Sequence, residues 1–156
     1  MSTSASEPAS AGESPQGDRP ATARPLVVHE TEIRARYPEC DPMGVVHHTV
    51  YPVWFEIGRT ELLRAQGGNY RDLEAAGVFL AVVRLEVRYR RPARYDDLVL
   101  LRTELLSDGP VKIEHRYEIR RGEELLVEGR TTLACLDRDG RARVVPDLLQ
   151  APRGSA

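Results

Sequence analysis

The sequence lacks several features that mark particular classes of protein. Its 156 residues include only two cysteines, Cys40 and Cys135, far apart and in no paired spacing, which argues against a disulfide framework and a zinc site. No run of about 18 apolar residues is present to cross a membrane. The first residues also lack the basic-then-apolar layout of a secretory signal. We therefore expect a reduced, cytoplasmic setting, no metal and no membrane partner.

A basic surface is also missing. Lys and Arg number 22 against 24 Asp and Glu, so the net charge is -2. Such a balance offers no field for the phosphate backbone and argues against nucleic acid as a partner. Residues 1–24 hold no aliphatic side chain larger than alanine after the first methionine. We interpret them as a disordered tail, followed by one domain over residues 25–150 and a short tail over 151–156.

The remaining pattern predicts one long helix and several strands. Apolar residues recur at helical spacing over residues 49–66, and Gly67 follows the last of them. A second, short helix is expected over residues 70–76. Alternating apolar residues predict the strands, and a shift of phase between Val82 and Val83 predicts a β-bulge. The predicted strands span residues 26–37, 78–89, 98–106, 111–119 and 125–136. This order is typical of an α+β fold, in which one antiparallel sheet lies against one helix.

Two features of the long helix predict how it is packed. Its first three turns are apolar on more than one stripe, so we expect it to be largely enclosed by the sheet. Gly58 would cost about 1 kcal/mol against alanine in a helix interior. Its presence therefore suggests close approach by another backbone.

The loop E-C-D-P-M-G-V-V-H-H leads directly into this helix and is the predicted site of catalysis. It places the carboxylate of Asp41 near a helix N-terminus, where unpaired N–H groups favour negative charge. Those amides can also stabilise the oxygen of a carbonyl under attack. A nucleophile or base beside an oxyanion donor is the minimum requirement for acyl transfer.

The loop and helix, D-P-M-G-V-V-H-H-T-V-Y followed by W-F-E-I-G-R-T-E-L-L, resemble the 4-hydroxybenzoyl-CoA thioesterase branch of the hotdog fold. The later stretch Y-R-R-P-A-R-Y-D-D-L is similar to a second recurrent block of that branch, and the resemblance covers roughly residues 27–148. It implies hydrolysis of an acyl-CoA thioester without a cofactor. It also implies a homodimer with one continuous sheet, often paired into a tetramer, with active sites at the subunit boundary.

Carried over residue by residue, the resemblance implies that Asp41 is the catalytic nucleophile or general base and that the backbone amide of His48 polarises the carbonyl. Gly44 and Tyr51 match the remaining catalytic positions. Val46 and His47 are predicted to bind substrate. Lys112, Arg90 and Arg91 are predicted to bind the CoA phosphates through their positive charge, and Lys112 ranks first because it resembles the usual basic position at its turn. His47-His48 replaces an aromatic pair of the family, and Thr49-Val50 replaces a usual Asn, which bears on the acyl group.

Simpler interpretations stand beside these roles. Asp41 before a proline can stabilise a turn through its own backbone, and each basic residue can be part of a solvated rim. Cys40 as nucleophile and Glu61 as catalytic carboxylate are weaker alternatives. His115 fits a satisfied core histidine. At the level of function, the alternatives are a thioesterase acting on acyl carrier protein, a non-catalytic acyl-CoA-binding dimer, and dehydration of a hydroxyacyl-CoA through His48.

Overall fold

The computed structural model describes residues 24–151, apart from the side chains of Ser107 and Asp108. The predicted tail over residues 1–24 lies almost entirely outside the described part of the chain, as does most of the tail over 151–156. Two helices, α1 (Val50–Ala65) and α2 (Tyr70–Ala75), follow the first strand. Short 3-10 helices span Tyr37–Glu39 and Asp147–Leu149. The strands are β1 (Val27–Arg34), β2 (Phe79–Tyr89), β3 (Leu98–Asp108), β4 (Lys112–Arg121) and β5 (Glu124–Leu136).

The five strands form one antiparallel sheet in the order β1-β3-β4-β5-β2. Strand β2 is an edge strand, and its register with β5 shifts between Val82 and Arg84, which confirms the predicted bulge. Helix α1 lies against β1 and β3 on one face of the sheet. The predicted α+β layout of the hotdog fold is therefore confirmed.

Helix α1 is less enclosed than its sequence suggested. One face is buried against the sheet, with Trp54 and Phe55 both fully inaccessible. On the opposite side Val53 is 54% exposed and Ile57 is 38% exposed. The expectation of an enclosed helix is thus wrong for the single chain, because β1 and β3 pack against one side of the helix and Val53 and Ile57 lie exposed on the other.

Two glycines allow the helix to approach the sheet closely. A Cβ on Gly58 would lie 2.2 Å from the Thr103 hydroxyl and 2.7 Å from a Leu101 methyl group. A Cβ on Gly129 of β5 would lie 2.3 Å from the ring of Phe55. Close approach at Gly58 is confirmed, although the groups that come close are side chains of β3 and not another backbone.

Candidate active site

The loop before α1 is a tight turn closed by its own backbone. The Asp41 N–H donates to the Val45 carbonyl at 2.8 Å, and the Gly44 N–H donates to the Asp41 carbonyl at 2.9 Å. Gly44 has φ of +76°, a left-handed conformation that glycine adopts at no steric cost. Gly44 therefore shapes the turn that presents Asp41.

The Asp41 carboxylate is half-buried at the base of this turn. Its Oδ1 accepts a hydrogen bond of 2.8 Å from the Met43 N–H, so the turn-stabilising role expected of an aspartate before proline is present. Its Oδ2 has no hydrogen-bond partner among the residues that the structure describes. One oxygen is thus held by the loop, and the other is available for chemistry.

A buried glutamate ties the loop to the helix. Glu39 is 8% exposed, and its carboxylate accepts from the Arg36 N–H at 2.8 Å, the Arg36 guanidinium at 2.8 Å and the Trp54 indole at 3.1 Å. Burial acts to raise the pKa of Glu39, but these hydrogen bonds outweigh it and lower the pKa below its usual value. Since the Glu39 carbonyl also accepts from the His47 N–H at 2.9 Å, the loop is held at both ends.

The two histidines occupy different positions at the start of α1. The Nδ1 atom of His47 lies 2.7 Å from the Thr49 hydroxyl, so Thr49 stands at the N-cap without capping the helix through its side chain. His48 is exposed, and its carbonyl accepts from the Tyr89 hydroxyl at 2.7 Å. The His48 N–H has no partner within residues 24–151. It is therefore available to an external acceptor.

Tyr51 and Val46 lie below this loop in the core. Tyr51 is 2% exposed, and its hydroxyl oxygen accepts from the Ala93 N–H at 3.1 Å. Burial is the main cause of the raised pKa of Tyr51. Val46, 4% exposed, donates its N–H to the Ala93 carbonyl at 2.8 Å. Both residues thus support the loop from beneath, and neither presents its side chain at the surface of the chain.

The three predicted CoA-binding cations are not brought together. Arg90 is paired with Glu128 at 2.6 Å and Arg91 with Glu124 at 3.4 Å. Lys112 is exposed at the beginning of β4. The Asp41 loop lies near the opposite end of β4, at Arg121. The Arg121 guanidinium and the Arg94 N–H both donate to the Asp97 carboxylate, and Arg94 pairs with Val45 of the loop in a β-bridge. Nine residues of strand put Lys112 about 30 Å away.

Sequence reasoning missed Glu39 and Tyr89 as parts of this region. Glu39 stands two residues before Asp41, where an acid in a loop gives no sign of being buried. Tyr89 closes β2 and reaches His48 across 41 positions of sequence, a contact set by the packing of α1 on the sheet. The signal in the sequence that could have identified Tyr89 is its position at the end of a strand with alternating apolar residues.

The described residues offer neither a metal site nor a membrane-spanning helix. Residues 24–151 contain no group of three or more His, Cys, Asp or Glu side chains arranged to hold a metal ion. None of the helices in this range is long and apolar enough to span a membrane.

Comparison with known proteins places the chain in a family. The family model described as "Thioesterase superfamily" matches residues 43–128, more than half of the chain. The putative acyl-CoA thioesterase YneP of Bacillus subtilis is 34% identical over 113 residues, covering 72% of this chain and 82% of the relative.

Solved structures agree with this assignment. The hypothetical protein TT1821 of Thermus thermophilus is 41% identical with a TM-score of 0.74, covering 78% of this chain and 95% of that one. A DHNA-CoA thioesterase of Staphylococcus aureus is 33% identical with a TM-score of 0.73, covering 75% and 80%. From the matched family, the related sequences and the shared fold, this chain belongs to the thioesterase superfamily and is a thioester hydrolase of the hotdog fold.

Proposed function

We propose that this protein hydrolyses acyl-CoA thioesters to a free acid and CoA, with Asp41 as nucleophile or general base and the His48 amide as oxyanion donor. The observation that carries the proposal is the pair of unused groups in one loop, the Oδ2 of Asp41 and the N–H of His48. The name of the B. subtilis relative supports acyl-CoA as the substrate.

The reaction requires attack on the thioester carbonyl and departure of a thiolate. As general base, Asp41 takes a proton from water as the water oxygen bonds to the carbonyl carbon. As nucleophile, its Oδ2 forms that bond instead, and water then hydrolyses the mixed anhydride. In both routes the carbonyl oxygen becomes an oxyanion that accepts a hydrogen bond from the His48 N–H. Collapse breaks the C–S bond, and the CoA thiolate leaves and takes up a proton.

The active unit we propose is a homodimer paired through β2. Strand β2 is a sheet edge, with unpaired N–H and C=O groups that favour pairing with another strand. It also exposes Val82, Val83, Leu85 and Tyr89 at 45–56% of their surfaces. Antiparallel pairing of two copies would extend the sheet to ten strands and bury these side chains. A tetramer, as the family resemblance implies, would pair two such dimers through a surface other than β2.

Antiparallel pairing also explains the position of Lys112. Lys112 lies at the end of the sheet opposite the Asp41 loop of its own subunit. When two β2 strands pair antiparallel about a two-fold axis, this end of one subunit lies next to the Asp41 loop of the partner subunit. Lys112 forms no ion pair with the described side chains of residues 24–106 and 109–151, whereas Arg90 and Arg91 are each paired with a glutamate. We therefore rank Lys112 of the neighbouring subunit first for the CoA phosphates.

The acyl group we propose is short, aromatic or of medium length, enclosed between the two subunits. The S. aureus relative is named for an aromatic acyl-CoA, which supports the aromatic class. A carrier-protein thioester is the alternative substrate.

A free-thiol assay with a panel of CoA thioesters and one acyl carrier protein thioester tests the proposal. Wild-type protein is expected to release CoA from at least one of them. Asp41→Ala is expected to lose at least about a hundredfold in kcat, the scale of removing a base or nucleophile, while its circular dichroism is unchanged. Equal rates in the two proteins would contradict the mechanism, and release from the carrier protein alone would contradict the substrate.

A further inference from the structure

A second polar site lies toward the other end of α1, away from the Asp41 loop. A cavity of about 20 Å³ lies between the helix and the sheet, lined by Arg59, Gln66, Tyr70 and His115 among apolar side chains. This volume exceeds the 10–15 Å³ that one water molecule requires and admits a group of a few atoms at most. The apolar lining is Leu62, Leu63, Leu80, Leu105, Ile113 and Leu149.

Arg59 brings a buried positive charge to this cavity. It is 6% exposed, one terminal nitrogen donates to the Tyr117 hydroxyl at 3.2 Å, and the guanidinium also hydrogen-bonds Tyr70. Its nearest acid is Glu56, whose carboxylate is 3.8 Å from Nη2 and whose side chain is 73% exposed. A surface carboxylate at that distance offsets little of the cost of burying a cation.

Two nitrogen atoms of the residues that line the cavity have no partner. They are Nε of Arg59 and Nδ1 of His115, both fully inaccessible and without a hydrogen-bond partner among the described residues. His115 is itself 6% exposed. Burial, and secondly the positive charge of Arg59, lower the pKa of His115 to about 3, so its ring is neutral at pH 7 and can donate one N–H.

We propose that this cavity binds a carboxylate group. The Nε–Nη2 edge of Arg59 offers two parallel N–H donors, the geometry that a carboxylate accepts in a bidentate pair. The neutral His115 ring supplies a further donor, and the negative charge compensates the buried guanidinium. Gln66, Tyr70 and Leu80 are only partly buried and form the outer wall, so the group enters between them.

The carboxylate can arrive in two ways. It is either a small free anion such as formate, or the far carboxylate of a dicarboxylic acyl group. Leu80 belongs to β2, and the second source therefore rests on the proposed function and on pairing through that strand.

Formate binding to the full-length protein labelled with 15N-arginine tests the site. Arg59 is the buried arginine of residues 24–151, and its Nε–H signal is identified by its loss in Arg59→Met. Potassium formate replaces potassium sulfate stepwise at constant ionic strength. The chemical shift of the Arg59 Nε–H signal is expected to change with formate concentration and then reach a plateau. The melting temperature should rise by about 3–6 °C at ten times Kd.

Two variants complete the test. Arg71→Met, which removes an exposed arginine of α2, should bind formate like the wild type. His115→Leu keeps Arg59 and is expected to weaken formate binding about tenfold. This variant still tests the site if Arg59→Met does not fold. A signal that does not respond to formate, or binding unchanged in His115→Leu, would overturn the proposal.

Hydrolysis of glutaryl-CoA and pentanoyl-CoA, which have equal chain lengths, identifies the source. Selective loss of glutaryl-CoA turnover by at least tenfold in His115→Leu assigns the site to the acyl group, and an unchanged ratio assigns it to free carboxylates. If neither thioester is hydrolysed, the site is assigned to free carboxylates, and the proposed function fails only if the rest of the CoA thioester panel is also inert.

Discussion

At the scale of single residues, the Asp41 loop is held in place by a second, buried carboxylate, that of Glu39. The Glu39 carboxylate accepts three hydrogen bonds, two from Arg36 and one from Trp54, and these hold the segment that leads into Asp41. Hydrogen bonds to charged groups contribute about 1.5–3 kcal/mol each when buried. The position of Asp41 is therefore secured from a neighbouring side chain as well as from its own turn.

Glu39→Gln tests this support. The substitution removes the charge and should lower the free energy of unfolding at pH 7 by about 1–3 kcal/mol in chemical denaturation. Because the folded-state pKa of Glu39 is lowered, its contribution is present above pH 4.5 and is lost as the pH falls through the folded pKa. The variant should lose less stability over that acid range. Glu61→Gln, in a surface pair with Arg64, should change stability by under about 0.5 kcal/mol.

His115 makes a second contribution that depends on pH. Its pKa of about 3 in the folded protein lies below the ordinary 6.5, so the unfolded chain binds the extra proton between these values. Stability is fully present above pH 6.5 and falls by about 1.4 kcal/mol per pH unit below it. His115→Leu should flatten this slope in urea titrations at pH 4–7. A slope equal to that of the wild type would contradict the burial of a neutral histidine, and His29→Leu on β1 is the matched control.

At the scale of elements, α1 and β3 touch through Gly58. Alanine there should raise helix propensity by about 1 kcal/mol, yet its Cβ would clash with Thr103 and Leu101. We expect Gly58→Ala to destabilise the protein by about 1–3 kcal/mol in thermal unfolding, because an overpacked interface must shift. Thr60→Ala, on a less buried position of the same helix, should be neutral or stabilising. A stabilised Gly58→Ala would refute the close contact.

The elements were largely predictable from the sequence, and the reasons are local. The bulge at Val82 and the end of α1 at Gly67 follow from apolar phase and from backbone conformation, which the residues themselves determine. The Asp41 loop could be recognised from its motif, but the residues that hold it in place could not be predicted from the sequence. Glu39 and Tyr89 act through contacts with Trp54 and His48, and such partners depend on how the helix lies on the sheet. The exposure of Val53 was missed for the same reason.

At the scale of the whole molecule, the edge strand β2 is the surface that we expect a second copy to cover. Leu85→Arg places a charge in the exposed apolar strip and should convert the dimer to a monomer in sedimentation velocity. Hydrolysis should fall with it, because Lys112 then no longer reaches the partner's loop. Val28→Arg, on the strand at the opposite edge, should leave both unchanged. A wild-type protein that sediments as a monomer would contradict pairing through β2.

The central claim is that the Asp41 carboxylate and the unpaired His48 amide act together on the thioester, and Asp41→Asn tests it most directly. Asparagine retains an oxygen for the Met43 N–H and so preserves the turn, but it removes the charge and the basic oxygen. If Asp41 acts chemically, kcat on the best CoA thioester falls at least about a hundredfold while the melting temperature stays within about 2 °C. If Asp41 only stabilises its turn, Asp41→Asn retains wild-type turnover, and that result would contradict the account.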